Sequence, residues 1–136
     1  EKKIYKKFLF NNNKLKKKIN LMITNIRRKN KNIFILGAST KGNTILQFLE
    51  INKNIIPYAI ERNKEKIGAK TIGSNIEIIS ENKAKLHFPE YKLVLPWHFK
   101  KEIINREIDY LKKNGKLIFP LPNILIIDKK NYSKYV

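Results

Sequence analysis

The chain has 136 residues, with 30 Lys and Arg against 11 Asp and Glu and a formal net charge of +19. That length suits one domain, and 42% hydrophobic residues can bury a core, which excludes a disordered polycation. Zero cysteines exclude a disulfide scaffold and a thiolate-held zinc or iron–sulfur centre within these residues; the longest uncharged apolar run, residues 117–127, is broken by Pro120, Pro122 and Asn123, short of the ~20 residues of a membrane span.

The chain opens on Glu1-Lys2-Lys3 with no hydrophobic signal core and no initiator Met. We therefore expect a cytoplasmic protein, and a domain cut from something longer. Residues 1–32 hold 12 Lys and Arg and one acid, net +11, while the other 104 residues carry +8. In this stretch Ile4, Phe8, Leu15, Ile19, Met22 and Ile26 recur at helical spacing. The spacing predicts a basic amphipathic helix, or a pair broken near Asn11-Asn12-Asn13, packing its stripe on the domain behind it. The stripe has no Trp and only Phe8 as an aromatic, so a membrane surface is not the expected partner. We divide the chain into an amphipathic linker helix, residues 1–31, and a domain over residues 32–136.

From residue 32 short apolar runs alternate with helical stretches. A buried strand is expected at residues 32–36 (NIFIL), then a glycine turn at 37–42 and a helix over about 42–50. Residues 57–61 (PYAIE) read as the second strand. Residues 76–79 form a short third after a loop with Gly68 and Gly73, and residues 91–95 (YKLVL) a fourth. One helix over 100–114, capped by Gly115, leads to a fifth strand at 116–119 that ends in Pro120-Leu121-Pro122. Strand, glycine turn, helix, strand, repeated, predicts an α/β fold: a parallel sheet with helices on both faces.

The first strand-to-helix turn reads Gly37-Ala38-Ser39-Thr40-Lys41-Gly42-Asn43-Thr44. It fits neither of two phosphate-binding patterns. The dinucleotide fingerprint wants Gly where Ser39 stands, and the P-loop wants Lys directly after the second glycine, where Asn43 stands. What survives is a helix N-terminus at the carboxyl end of a strand, with Ser39, Thr40, Lys41 and Asn43 able to hydrogen-bond an anion. A tight turn whose glycines merely permit packing competes with this, and the turn alone does not choose. The second strand ends in Glu61-Arg62. An acid there commonly takes ribose hydroxyls, and an adjacent Arg can hold a phosphate or sugar oxygen; a charged strand end facing water is the alternative. The fourth strand runs into Trp97-His98, at the sheet end where open α/β folds bind ligands. The alternatives are a core or interface anchor for Trp97 and a structural histidine at 98; neither His87 nor His98 belongs to a metal or triad motif.

In order and spacing, GASTKGNT, ERNKEKIG, LPWHFKKEI and GKLIFPLP resemble the C-terminal domain of bacterial sugar C-methyltransferases, over residues 34–122. These are S-adenosylmethionine-dependent enzymes acting on nucleotide-linked deoxysugars. The family pattern runs G-A-x-x-K-G-N-T, D-R-N-P-x-K-x-G, L-P-W-N and G-G-x-F-x-x-P-x-P. The chain departs from it with Glu61 for Asp, Lys64 for Pro, and Gly73 in Ile-Gly-Ser rather than Pro-Gly-Thr. It also has His98 for Asn, Asn114 for the first Gly of the last motif, and Leu117 at the Phe position. Glu61 keeps the charge and the acceptor; His98 changes a residue that bears on substrate choice.

The resemblance implies a Rossmann-like domain, with a zinc-binding domain and a middle domain for S-adenosylmethionine outside these residues. It places the nucleotide-linked sugar between the middle and C-terminal domains. It also implies a base, in the middle domain, that removes a proton next to a sugar keto group, the resulting enolate carbon then taking the methyl group. This chain would be a substrate-side module without turnover, metal or cofactor of its own, and residues 1–32 would connect it to the middle domain. Lys41 and the turn amides would meet the ligand's negative charge, with Ser39 and Thr40 beside them. Asn43, Glu61 and Arg62 would reach ribose, sugar or phosphate oxygens, and Trp97 and His98 would line the cleft rim.

Two other classes compete. Ser39 in place of the second glycine argues against a nicotinamide-binding domain of a small reductase. A basic nucleic-acid module is favoured by charge alone, and the charge has a simpler origin. Lys (26), Asn (17) and Ile (23) make up 66 of the 136 residues, against 4 Arg. The first three are the residues of AT-rich codons, whereas a phosphate and base reader would use more of the bidentate Arg. Duplex DNA should therefore bind no tighter than the ~10⁻⁴–10⁻⁶ M of non-specific association and dissociate steeply with salt. Fluorescence anisotropy over a salt series checks this; a sequence-specific complex at physiological salt would bring the nucleic-acid reading back.

Overall fold

The computed structural model describes residues 13–136. Its first helix, α1 (Asn13–Arg28), buries Leu15, Ile19, Ile23 and Ile26, the stripe that a 3.6-residue period puts on one face. Met22 packs beside them, partly buried. Ile4 and Phe8 of the expected stripe, and the expected break at Asn11-Asn12, lie outside the described residues. Lys16 Nζ meets Glu50 Oε1 at 3.3 Å, tying α1 to the chain just past the next helix.

Six strands form one sheet in the order β3-β2-β1-β4-β5-β6. They are β1 (Ile33–Leu36), β2 (Tyr58–Glu61), β3 (Glu77–Ser80), β4 (Tyr91–Val94), β5 (Lys116–Phe119) and β6 (Leu125–Ile127). The first five run parallel, as the alternating pattern predicts. The sixth is additional to that prediction and antiparallel, with Ile118 opposite Ile126. Pro120-Leu121-Pro122 reads as a stop because proline cannot donate to a ladder; the chain instead turns back after it and resumes pairing at Leu125.

Alternation along the strands splits the core in two. Ile33 and Ile35, Leu93 and Ile118 pack against the layer of α1 and α2 (Thr40–Phe48), where they meet Ile19, Ile23, Ile45 and Leu46. Phe34, Leu36, Val94, Leu117 and Phe119 pack against α3 (Glu81–His87), α4 (Lys100–Arg106) and α5 (Ile108–Lys112), through Ala84, Ile103, Ile104 and Leu111. Helices on both faces explain why adjacent residues of β1, Ile33–Leu36, are all buried and apolar rather than alternating.

Three local expectations are corrected, and one helix, α3, is additional to the prediction. Helix α2 begins at Thr40 rather than near Gly42, because Ser39 is its N-cap and accepts the Gly42 N–H at 3.0 Å. Helix α3 has no apolar stripe to read, burying only Ala84; it is started by Ser80, whose hydroxyl accepts the Lys83 N–H at 3.1 Å. The single helix expected over 100–114 is a 3₁₀ turn (Trp97–Phe99) followed by α4 and α5, with the break at Glu107. There the Glu107 carboxylate accepts from Lys92 Nζ at 2.6 Å, with the two side chains only 10% and 12% exposed. The same ammonium lies 4.0 Å from the centroid of the Tyr110 ring. The left-handed residue that closes α5 is Asn114 (φ 74°), not Gly115; the missing Cβ at Gly115 makes room for the Tyr110 ring. The Tyr110 hydroxyl donates to the Pro89 carbonyl at 2.8 Å, and burial pushes its pKa up, so it stays a neutral donor.

Because α1 shares its core with the sheet, its buried positions should carry stability. Ile19 is 1% exposed and Leu21, on the same helix, 61%. Ile19→Ala should cost about 2–5 kcal/mol, and Leu21→Ala should stay within about 0.5 kcal/mol. Urea denaturation of the two variants measures the difference; equal, small losses would detach α1 from the cooperative unit.

Candidate functional site

From β1 the chain moves outward through β2 and β3, then returns to place β4 on β1's other side. The sheet order thus reverses between β1 and β4, and such a reversal opens a crevice beyond the carboxyl ends of the strands. A cavity of about 390 Å³ lies at these carboxyl ends, within the size range of small-molecule sites. Its apolar surface comes from Leu36, Ile60, Pro96 and Ile103, and its polar surface from Ser39, Glu61, Arg62, Lys66, Glu102 and Arg106, with Phe99 beside them.

The glycine turn supplies one wall. Gly37 adopts φ 94°, a conformation that favours glycine. A Cβ there would lie 2.7 Å from Pro96 Cδ, and one on Gly42 would lie 2.8 Å from Leu95 Cδ1. Four of the turn's amides are used within the protein. Gly37 N–H donates to the Ile60 carbonyl at 2.9 Å and Asn43 N–H to the Ser39 carbonyl at 2.9 Å. Ala38 N–H donates to Glu61 Oε2 at 3.1 Å, and Gly42 N–H to the Ser39 hydroxyl. These four groups are therefore not an open cradle for a phosphate. The side chains of Thr40 and Lys41 lie outside what the structure describes.

Glu61 Oε1 accepts the N–H groups of Arg62 and Asn63 at 3.0 and 3.2 Å, so both of its oxygens hold backbone. Arg62 Nε pairs with Glu81 Oε1 of α3 at 3.3 Å. Asn43 is half-buried in the first turn of α2, and its Oδ1 is a buried acceptor with no hydrogen-bond partner. Trp97 is half-buried and packs against both core layers, while His98 is exposed and stacks on it with ring centroids 4.0 Å apart.

Of the residues expected to gather, Ser39, Glu61 and Arg62 line the cavity; Asn43, Trp97 and His98 do not. Lys66, Phe99, Glu102 and Arg106 line it without having been singled out by the sequence. For Lys66 a signal exists, since it stands at the lysine of ERNKEKIG, and its Nζ donates to the Ala38 carbonyl at 3.0 Å. Phe99 follows Trp97-His98 directly and is 59% exposed. Glu102 and Arg106 look like ordinary charged helix positions until α4 is set against β1. The Ser39 hydroxyl is engaged with the Gly42 amide and is shown in no hydrogen bond to Glu61, Lys66 or Glu102, and the lining groups are suited to holding a polar ligand.

The family model for the C-methyltransferase C-terminal domain matches residues 1–122. The chain belongs to this family. The C-methyltransferase NovU of Streptomyces niveus is 28% identical over 127 residues, covering 93% of this chain. The chain spans only 30% of that relative's length. Among solved structures, a UDP-D-quinovosamine 4-dehydrogenase from Vibrio fischeri is similar at 19% identity, with a TM-score of 0.47, over 78% of this chain and 87% of that one. In this C-methyltransferase C-terminal domain the cavity at the sheet's reversal is the candidate site, and α1 lies inside the matched region.

The glycine at 42 should then be structural. Leu95, which a Cβ would strike, is 1% exposed and cannot swing into solvent. Gly42→Val should lower stability by about 1–3 kcal/mol through overpacking. Thermal unfolding followed by circular dichroism reads this, and an unchanged midpoint would show that α2 does not need its close approach to β4.

Proposed function

We propose that this chain is the substrate-side domain of a cytoplasmic, S-adenosylmethionine-dependent C-methyltransferase that acts on a nucleotide-linked keto-deoxysugar. The observation that carries the reading is the cavity itself. In a domain of the C-methyltransferase family, Arg62 and Arg106 bring guanidinium groups, and Ser39 brings a hydroxyl, to a partly apolar slot at the carboxyl ends of the strands, which Glu61, Lys66 and Glu102 also line. A ligand with an anionic linker, sugar hydroxyls and a flat base is complementary to that combination. Lys41 and Asn43, one turn away on α2, are further candidates for oxygens of the same ligand.

The glycine turn does not fit the methyl donor, because Ser39 replaces the second glycine and the Ala38 amide is held by Glu61. Donor binding and the base that takes the proton beside the keto group therefore belong, in this reading, to the rest of the enzyme, of which the relative has a further 70% of its length. What this chain does is grip the nucleotide half and hold the sugar against the other domain.

The test is transfer of a labelled methyl group from S-adenosylmethionine to a panel of nucleotide-linked keto-deoxysugars. The whole enzyme should methylate at least one of them and the 136-residue chain none. Turnover by the chain alone, or a whole enzyme indifferent to the nucleotide, would overturn the assignment.

A further inference from the structure

Resting on that substrate reading and deepening it, we propose that Glu61 and Lys66 are positioning residues that clamp the Ala38 backbone and so set the pose of the β1–α2 turn for the ligand. Ala38 is where the chain leaves β1, and it is 8% exposed within the core shared by α1 and α2. Its N–H donates to Glu61 Oε2 at 3.1 Å, and its carbonyl accepts from Lys66 Nζ at 3.0 Å. An anion thus sits at the donor and a cation at the acceptor of one residue. Both are charge-assisted hydrogen bonds, roughly twice as strong as neutral ones.

The two side chains come from the same segment, the end of β2 and the loop after it. Glu61 is itself braced, since its other oxygen accepts from Arg62 and Asn63. The residue after Ala38 is Ser39, whose hydroxyl caps α2. Any rotation of the Ala38 backbone therefore moves the cap, the first turn of α2 and the wall of the cavity together. An acid at this strand end is ordinarily read as a ribose ligand. Here three backbone N–H groups already occupy it, and its effect on the ligand passes through the turn.

Two side chains acting through one backbone residue should not act additively, and that separates a clamp from two independent ligand contacts. Glu61→Gln leaves a single acceptor oxygen that cannot serve both sides, Lys66→Met removes the donor at similar length, and Lys66→Arg keeps it. In the ¹H–¹⁵N spectrum of the 136-residue chain, the Ala38 amide should shift in Glu61→Gln and Lys66→Met and stay near its wild-type position in Lys66→Arg. In the whole enzyme, affinity for uridine and thymidine 5′-diphosphate should fall about tenfold in each loss variant. It should also fall about tenfold, not about a hundredfold, in the double variant. Losses that multiply, or an Ala38 amide unmoved by Glu61→Gln, would overturn the clamp. A whole enzyme that binds the diphosphates with this pattern yet methylates no nucleotide-linked sugar would sink the substrate reading and leave the clamp standing.

Discussion

Where β4 ends, the chain passes so close to the β1–α2 turn that positions 37 and 42 have no room for a side chain: Pro96 fills the space beside Gly37, and Leu95 the space beside Gly42. This contact sets how near α2 lies to the sheet. It also brings the end of β2, the turn and the start of α4 within reach of one cavity. The carboxyl ends of β1, β2 and β4 would form a flatter rim if the turn stood further out. Close packing is costly to disturb because interiors are filled almost as densely as organic crystals. The glycines therefore serve packing first, and the site is a consequence of that packing.

Charge contributes less to the fold than its abundance suggests. Among the described residues, the ion pairs Lys16–Glu50, Arg62–Glu81 and Lys83–Glu77 each have at least one partner well exposed. Such pairs stabilise little. The pair between Lys92 and Glu107 is different, being buried and backed by the Tyr110 ring. It sits where one expected helix becomes two, so a single lysine on β4 helps shape the helical layer above it. Among the described residues, most of the remaining positive charge lies on solvated surface, where it raises the local concentration of anionic ligands without choosing among them.

In a turn that nearly matches two phosphate-binding motifs, four amides are satisfied from within. Those of Gly37, Ala38, Gly42 and Asn43 go to Ile60, Glu61 and Ser39 rather than to a vacant cradle. The side chains lining the cavity are two guanidinium groups, an ammonium, a hydroxyl, two carboxylates and an exposed aromatic ring, arranged around an apolar floor. Side chains that come from separate elements can recognise a ligand with several dissimilar parts.

The five parallel strands and the helices α1 and α2 were legible along the chain because burial writes itself as periodicity: apolar runs such as NIFIL, and the stripe through Leu15, Ile19 and Ile26. The four ordered motifs carried the family, because their glycines, prolines and charged residues stand in the family's order over most of the chain. Helix α3 stayed hidden because it buries one alanine, and β6 because three residues after two prolines make no pattern. Ser39, Glu61 and Arg62 could be chosen as candidates from their places at strand ends. That Glu61 and Lys66 would grip the two poles of Ala38, and that Arg106 and Phe99 would come to the same cavity, was decided only when α4 and the β2 loop were packed against β1. Periodicity reports which side of an element is buried; which charged side chains meet across a crevice depends on distances between elements, and those are set by tertiary packing alone.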